Sequence, residues 1–326
     1  MGYGNYSHAA HEALTHARAS LPTQALFKQR SCHPLMDPKG VILRESRDSA
    51  EHPNSLGIVF ALDVTGSMGE IPELLARKEL PNFMKVLSDC KVSDPQVLFT
   101  AVGDATCDRA PLQVGQFETT AELMDQWLTW SYLERGGGGG NRESYELALY
   151  LLAEHTQMDC WVKREKRGYL FMTGDELPYP AVSRHQVEAL IGEKLDEDIP
   201  TEALMAELQE TFEPFFLVPD PHRATKIAKQ WRALLGDHVI VMQRPEDTCY
   251  VAAGLVALHE GVVGSLKDLA TLLDRSGADP ARIGRVVAAL EEHAASFDAS
   301  GRPKVRHAGL AKSGKPSLFR RLVSGK

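Results

Sequence analysis

The stretch 56–68, LGIVFALDVTGSM, constrains the fold more than any other: an apolar run stops at an acidic residue, and small hydroxyl and glycine residues follow. Leu56, Ile58, Val59, Phe60, Ala61 and Leu62 have almost no polar interruption, which predicts a central parallel strand covered on both faces. Asp63, Thr65 and Ser67 then present three oxygen-bearing side chains at alternate positions, on a turn that Gly66 and Gly69 make sterically possible. Oxygen ligands of this kind, few of them charged, suit a hard cation such as Mg2+, with water in the remaining positions. Ligands of open α/β sheets bind beyond the carboxyl ends of the strands, where this turn falls.

Strands and helices alternate along the rest of the chain. Ile71, Leu74, Leu75, Leu80, Phe83, Met84 and Leu87 follow helical spacing, with Pro72 tolerated in the first turn and Pro81 expected to kink the helix. VLFTAV at 97–102 reads as a second buried strand ending at Gly103 and Asp104, and LQVGQF at 112–117 alternates as an edge strand does. GYLFMT at 168–173 is the third buried strand, and it too ends in a turn with carboxylates, Gly174, Asp175 and Glu176. If the strands at 56 and 168 are neighbours, Asp63 and Asp175 meet at one rim. Further strands at 212–218 and 238–242, with helices at 120–130, 183–192, 201–211, 224–235 and 247–261, predict βαβ units with right-handed crossovers. The expected class is α/β, with a doubly wound, mostly parallel sheet over 55–262.

Five consecutive glycines, 136–140, precede Asn141, Arg142, Glu143, Ser144 and a helix running to about 155. Such a run is costly in chain entropy, and because a helix starts at once it reads as a second loop over the ion site more than as a linker. Residues 1–54 carry only short apolar patches and are expected to lie on the domain as an extension, with His8, His11 and His16 on a polar helix face. A capping box at Ser265 and the pair Asp279-Pro280 predict a small helical appendage over 263–298. From 299 to 326 the chain is basic with no acidic residue after Gly301, a flexible tail and the one segment suited to nucleic acid or an acidic partner. The net charge of −8 otherwise argues against nucleic-acid binding. Five scattered cysteines without a CxxC pair suggest reduced thiols, and no apolar run is long enough to span a bilayer, so a cytoplasmic protein without a membrane segment is expected.

Asp63-Val64-Thr65-Gly66-Ser67-Met68 after an apolar strand resembles the DxSxS motif of von Willebrand factor A domains, with threonine in the middle hydroxyl position. VLFTAVGDATCD, GGGGGNRESYELAL and GYLFMTGDE follow in the family's order, and the likeness is greatest to bacterial members and to those joined to alpha-kinases. The resemblance implies a Rossmann-like fold and a metal-ion-dependent adhesion site for Mg2+, Mn2+ or Ca2+, whose open coordination position takes a carboxylate from a partner protein. Asp63, Thr65 and Ser67 match its first loop and Asp175 its later acidic residue. The second loop departs from the family pattern: where a threonine is usual, this chain offers 138–140 and Asn141, so that water or the Asn141 side-chain oxygen stands in, with Asp104 supporting from behind.

The resemblance thus implies a non-enzymatic, metal-dependent scaffolding module, working beside a partner such as an AAA+ ATPase of the MoxR type. The chain has no GxxxxGK[ST] loop of its own. The alternative is a phosphotransferase of the haloacid-dehalogenase kind, because DVTGS also resembles the DKTGT signature in which the first aspartate is the nucleophile. Val64 stands where that signature has lysine, and no downstream acidic pair of the GDGxND kind follows.

Overall fold

The computed structural model describes residues 4–66, 68, 70–134 and 140–297. Ser67, the glycines at 136–139 and the basic tail at 299–326 lie outside the described residues.

Leu56–Asp63 (β1) is a strand buried at every position. Since successive side chains point to opposite faces, the sheet is covered on both sides there. With Pro95–Val102 (β2), Leu112–Val114 (β3), Gly168–Thr173 (β4), Phe212–Val218 (β5) and Val239–Val241 (β6) it forms a six-stranded sheet in the order β6-β5-β4-β1-β2-β3. All neighbours run parallel except β3, which pairs antiparallel with β2 at the edge. The fold is mixed α/β with a mostly parallel central sheet, compatible with a Rossmann-like arrangement.

The chain moves outward from β1 to β2 and β3, then returns to the other side of β1 as β4, so the strand order reverses between β1 and β4. In open α/β sheets this reversal leaves a crevice at the carboxyl ends of the two strands, the usual ligand position. Leu62 pairs with Thr173, which sets Asp63 level with Gly174 and one residue short of Asp175.

The helices used below are His8–Arg18 (α1), Leu80–Asp89 (α2), Ala121–Thr129 (α3), Tyr145–Glu154 (α4), Thr201–Thr211 (α5), Pro221–Leu235 (α6), Thr248–His259 (α7), Leu266–Arg275 (α8) and Pro280–Ala294 (α9). The kink expected at Pro81 is a π-helical turn, Leu75–Glu79, just ahead of α2. Proline has no N–H to reach back to the Arg77 carbonyl, and the Leu80 N–H bonds Leu75 O, five residues earlier.

Phe99, Phe60, Phe171 and Phe215 occupy register-matched positions on four adjacent strands, with ring centroids 5.8, 5.4 and 5.6 Å apart along the row. A Phe→Ala change in such a row costs about 3–5 kcal/mol. The C-terminal helices dock on α7 where Gly254 leaves room: a Cβ there would stand 3.1 Å from both Leu269 and Leu290. Arg282 of α9 adds a buried ionic tie, 3.1 Å from Glu79 and 3.4 Å from Asp247. Among the described residues, no helix is long and apolar enough to cross a membrane.

The N-terminal residues pack onto this body. Arg18 pairs with Asp125 of α3, Arg44–Ser46 runs parallel to Thr156–Met158, and Leu26, Phe27 and Met36 are buried. The expected polar face of α1 is corrected at His11, which is 1% exposed and lies 3.0 Å from the Tyr6 hydroxyl. Helical spacing alone does not show which turn of α1 faces the body.

Candidate metal centre

Asp63 ends β1 with its carboxylate fully buried. Oδ1 accepts from the Thr65 backbone N–H at 2.9 Å and from the Thr65 hydroxyl at 2.6 Å, while Oδ2 accepts from the Tyr145 hydroxyl at 2.7 Å. The Thr65 hydroxyl donates its proton to Asp63, so its oxygen lone pairs remain to accept or to ligate. Burial pushes the Asp63 carboxyl up to about 6; the bonds from Thr65 and Tyr145 pull against that, and the negative charge of Asp175 adds to it.

Asp175, 4% exposed, follows β4 and ion-pairs with Arg223 of α6 at 3.3 Å. Two features position its turn. The Trp231 indole N–H donates to the Glu176 carbonyl at 2.9 Å. Gly174 lies against the Tyr145 phenol so closely that a Cβ would come within 2.0 Å of its hydroxyl oxygen, which no side chain tolerates.

Of the residues expected from sequence, Asp63, Thr65 and Asp175 come together at the strand-order reversal. Ser67 lies outside the described residues. Asn141 is exposed, and its backbone carbonyl accepts from the Leu177 N–H at 3.3 Å. Asp104, expected behind the site, is buried at the end of β2, where its carboxylate accepts from the Thr106 N–H at 2.9 Å and the Tyr179 hydroxyl at 3.1 Å.

Sequence reasoning missed Glu143. It pairs with Pro178 in a two-residue parallel ladder that joins the exit of the glycine loop to the segment after Asp175. Its Oε2 is buried without a hydrogen bond, and so is the Thr173 hydroxyl at the end of β4. Burial pushes the Glu143 carboxyl up to about 9, with Asp63, Asp104, Asp108 and Glu176 adding repulsion. One signal was present: α4, YELALYLLAE, is apolar on nearly all sides, so its N-terminal end lies in the interior together with the residues just before it.

The donors here are carboxylates and hydroxyls, the chemistry of a hard cation, and an orphaned buried carboxylate oxygen is what such an ion would satisfy. Removing an unpaired carboxylate from water is costly, and several of like sign in one place repel. The residues present therefore fit a divalent ion. Beside them opens a cleft of about 220 Å³ lined by Met68, Glu70, Ile71, Asp175, Pro219 and Arg223.

No family model matches this chain, and no curated protein does. Among solved structures, proximal thread matrix protein 1 from the mussel byssus aligns with a TM-score of 0.38 at 9% identity, covering 62% of this chain and 47% of that one. The pilus adhesin SpaC from Lactobacillus rhamnosus GG, in an open conformation, aligns with a TM-score of 0.43 at 11% identity, over 68% of this chain and 31% of that one. The chain spans less than half the length of either.

Proposed function

We propose that this chain is a non-enzymatic binding module of the von Willebrand factor A type, built on a doubly wound Rossmann-like sheet. It takes up a divalent cation, Mg2+ first among Mg2+, Mn2+ and Ca2+, and through it engages a carboxylate of a protein partner. The observation that carries this reading is the gathering of Asp63, Asp175 and Glu143 at the strand-order reversal, with Glu143 Oε2 buried and without a partner. Asp63, Thr65, Asp175 and Glu143 would hold the ion, and the sequence resemblance adds Ser67 to them. Glu143 takes the second-loop place that Asn141 was expected to fill.

When bound, the ion supplies positive charge and an open coordination position for an Asp or Glu side chain. The chain's own part is to fix the oxygen donors and to shape the approach. Arg223, 43% exposed in its side chain, reaches Asp175 from the wall of the cleft and is placed to receive an incoming carboxylate as well. An acidic segment of an AAA+ ATPase of the MoxR type remains the partner class that the sequence resemblance suggests. The phosphotransferase alternative gains no support: Val64 stands where its signature has lysine, and no downstream acidic pair of the GDGxND kind follows.

The test is thermal unfolding of wild type, Asp63→Ala and Glu143→Gln in EDTA, Mg2+, Mn2+ and Ca2+. A ligand that binds only the folded state stabilises it by about 2.7 kcal/mol at a hundred times its dissociation constant. The midpoint should rise for wild type alone. An equal rise in Glu143→Gln would remove Glu143 from the site, and no rise in any protein would overturn the reading.

A further inference from the structure

A second set of metal-ligating groups lies at the opposite, amino-terminal rim of the sheet and has no part in the proposed function. Asp237 and His238 form the turn entering β6, His259 ends α7, and His293 lies near the end of α9. Asp237, His238 and His293 each offer a ligand atom, all within 4.8 Å of one another. His259 Nε2 lies 2.9 Å from His293 Nε2.

The tautomers follow from the neighbours. His238 Nδ1 is 3.0 Å from the Pro214 carbonyl and His293 Nδ1 is 3.1 Å from the Asp237 carbonyl. A carbonyl oxygen only accepts, so Nδ1 carries the proton in both rings; in the neutral rings the lone pair is then on Nε2, which in His293 meets His259 Nε2 at 2.9 Å and in His238 lies 3.5 Å from Glu213 Oε1, contacts that a bound cation would replace. An imidazole whose far N–H is fixed on a backbone carbonyl is the arrangement in which histidine ligates a metal. The rings are also held as a block: His238 stacks on Phe215 with centroids 4.6 Å apart, and His259 on His293 at 5.2 Å.

We infer that Asp237, His238 and His293, with His259 beside them, form a site for a transition-metal cation of the zinc type. Neutral imidazoles with one carboxylate are ligands of intermediate softness, suited to Zn2+, Co2+ or Ni2+ and poorly suited to Mg2+. Its place in the fold gives its role. The ion would join the turn before the edge strand β6 to helix α9, fastening the C-terminal helices to the sheet.

The two sites are separable by ligand chemistry and by variant. The full-length protein, stripped with a chelator, is titrated with Co2+ while its visible ligand-field bands are recorded, and with Zn2+ in competition with a chromogenic chelator. With excess Mg2+ present to occupy the carboxylate site, wild type and Asp63→Ala should each bind one equivalent with the bands of nitrogen ligation, and His238→Gln should bind about 10- to 100-fold more weakly or worse. His238 is partly exposed but its ring lies 5.0 Å from that of His293, so the fold of this variant is checked directly. Unchanged circular dichroism of His238→Gln in chelator establishes that it folds, and Asp237→Asn gives an independent loss if it does not. Binding that persists undiminished in His238→Gln and Asp237→Asn, or that vanishes in Asp63→Ala, overturns the inference, as does absence of binding in wild type. Loss of Mg2+ binding in Asp63→Ala with Co2+ binding intact separates this site from the one at the carboxyl rim.

Discussion

The hydroxyl of Tyr145 donates to Asp63 Oδ2 at 2.7 Å across 82 residues of chain, and it ties the first residue of helix α4 to the last residue of the central strand. The phenol is fully buried against Phe216 and Trp231, with ring centroids 5.5 Å away in each case. A donor held this firmly favours the ionised form of Asp63, against the burial that disfavours it.

Tyr145→Phe removes that donor and little else. The fold should lose about 1.5–3 kcal/mol, the range for a hydrogen bond to a charged group, and Mn2+ should bind more weakly because the Asp63 carboxylate is then less readily formed. Urea unfolding and an Mn2+ titration measure the two effects. Unchanged Mn2+ affinity would mean that Asp63 is not a ligand.

Gly174→Ala sets a methyl group against the same hydroxyl. Overpacking of this kind costs about 1–3 kcal/mol, and the phenol, walled in by Trp231, has nowhere simple to go. In the double variant Gly174→Ala with Tyr145→Phe the nearest atom, the hydroxyl oxygen, is gone while ring carbon Cζ at 2.6 Å remains, so the combined loss in urea should be smaller than the sum of the single losses yet larger than that of Tyr145→Phe alone. Simple additivity would place the damage of Gly174→Ala elsewhere in the turn.

Much of the architecture was open to reading in the sequence, and the reasons differ by element. The strands at 56 and 168 announce themselves because both are continuous apolar runs stopped by an aspartate, and Gly168–Thr173 has the bounds that its composition suggests. The meeting of Asp63 and Asp175 required only that these strands be neighbours, which they are. Glu143 and Tyr145 were harder, since their roles come from contacts 80 or so residues away that no local period encodes. Arg44–Ser46 was missed as well, because a polar three-residue strand bears no alternation to recognise.

Glu143→Gln separates stability from binding. Without metal, burial and the surrounding carboxylates hold Glu143 in its protonated form at neutral pH, so glutamine is close to an isostere of the native state. In EDTA the variant should unfold within about 1 kcal/mol of wild type, a change typical of substitutions that break no interaction. In Mn2+ it should gain no stability where wild type does. A large loss in EDTA would show that the ionised carboxylate of Glu143 supports the metal-free fold.

The N-terminal extension should make the fold sensitive to mild acid through His11. Burial, then the positive charges of His8 and Arg18, push His11 down to about 4 from an ordinary 6.5. Between those values the unfolded chain takes up a proton that the folded chain refuses, so stability falls as pH falls. The contribution of His11 is complete above pH 6.5 and is lost progressively down to about pH 4. A difference of this size between the folded and unfolded chain corresponds to something on the order of 3 kcal/mol at a buried position. Glu143 and Glu146, pushed up to about 9 and about 8, act in the opposite sense: their folded forms hold protons that the unfolded chain releases, so they add stability as pH falls toward 4.5. Urea unfolding of wild type and His11→Leu across pH 4 to 7 cancels these common contributions. The difference between the two proteins should move in favour of the variant as the solution is acidified below pH 6.5, by roughly 1.4 kcal/mol for each further pH unit until His11 itself takes up a proton. Parallel curves would mean that α1 leaves the body before His11 titrates, and hydrogen exchange of its amides at pH 5 would then report an open helix over a folded sheet.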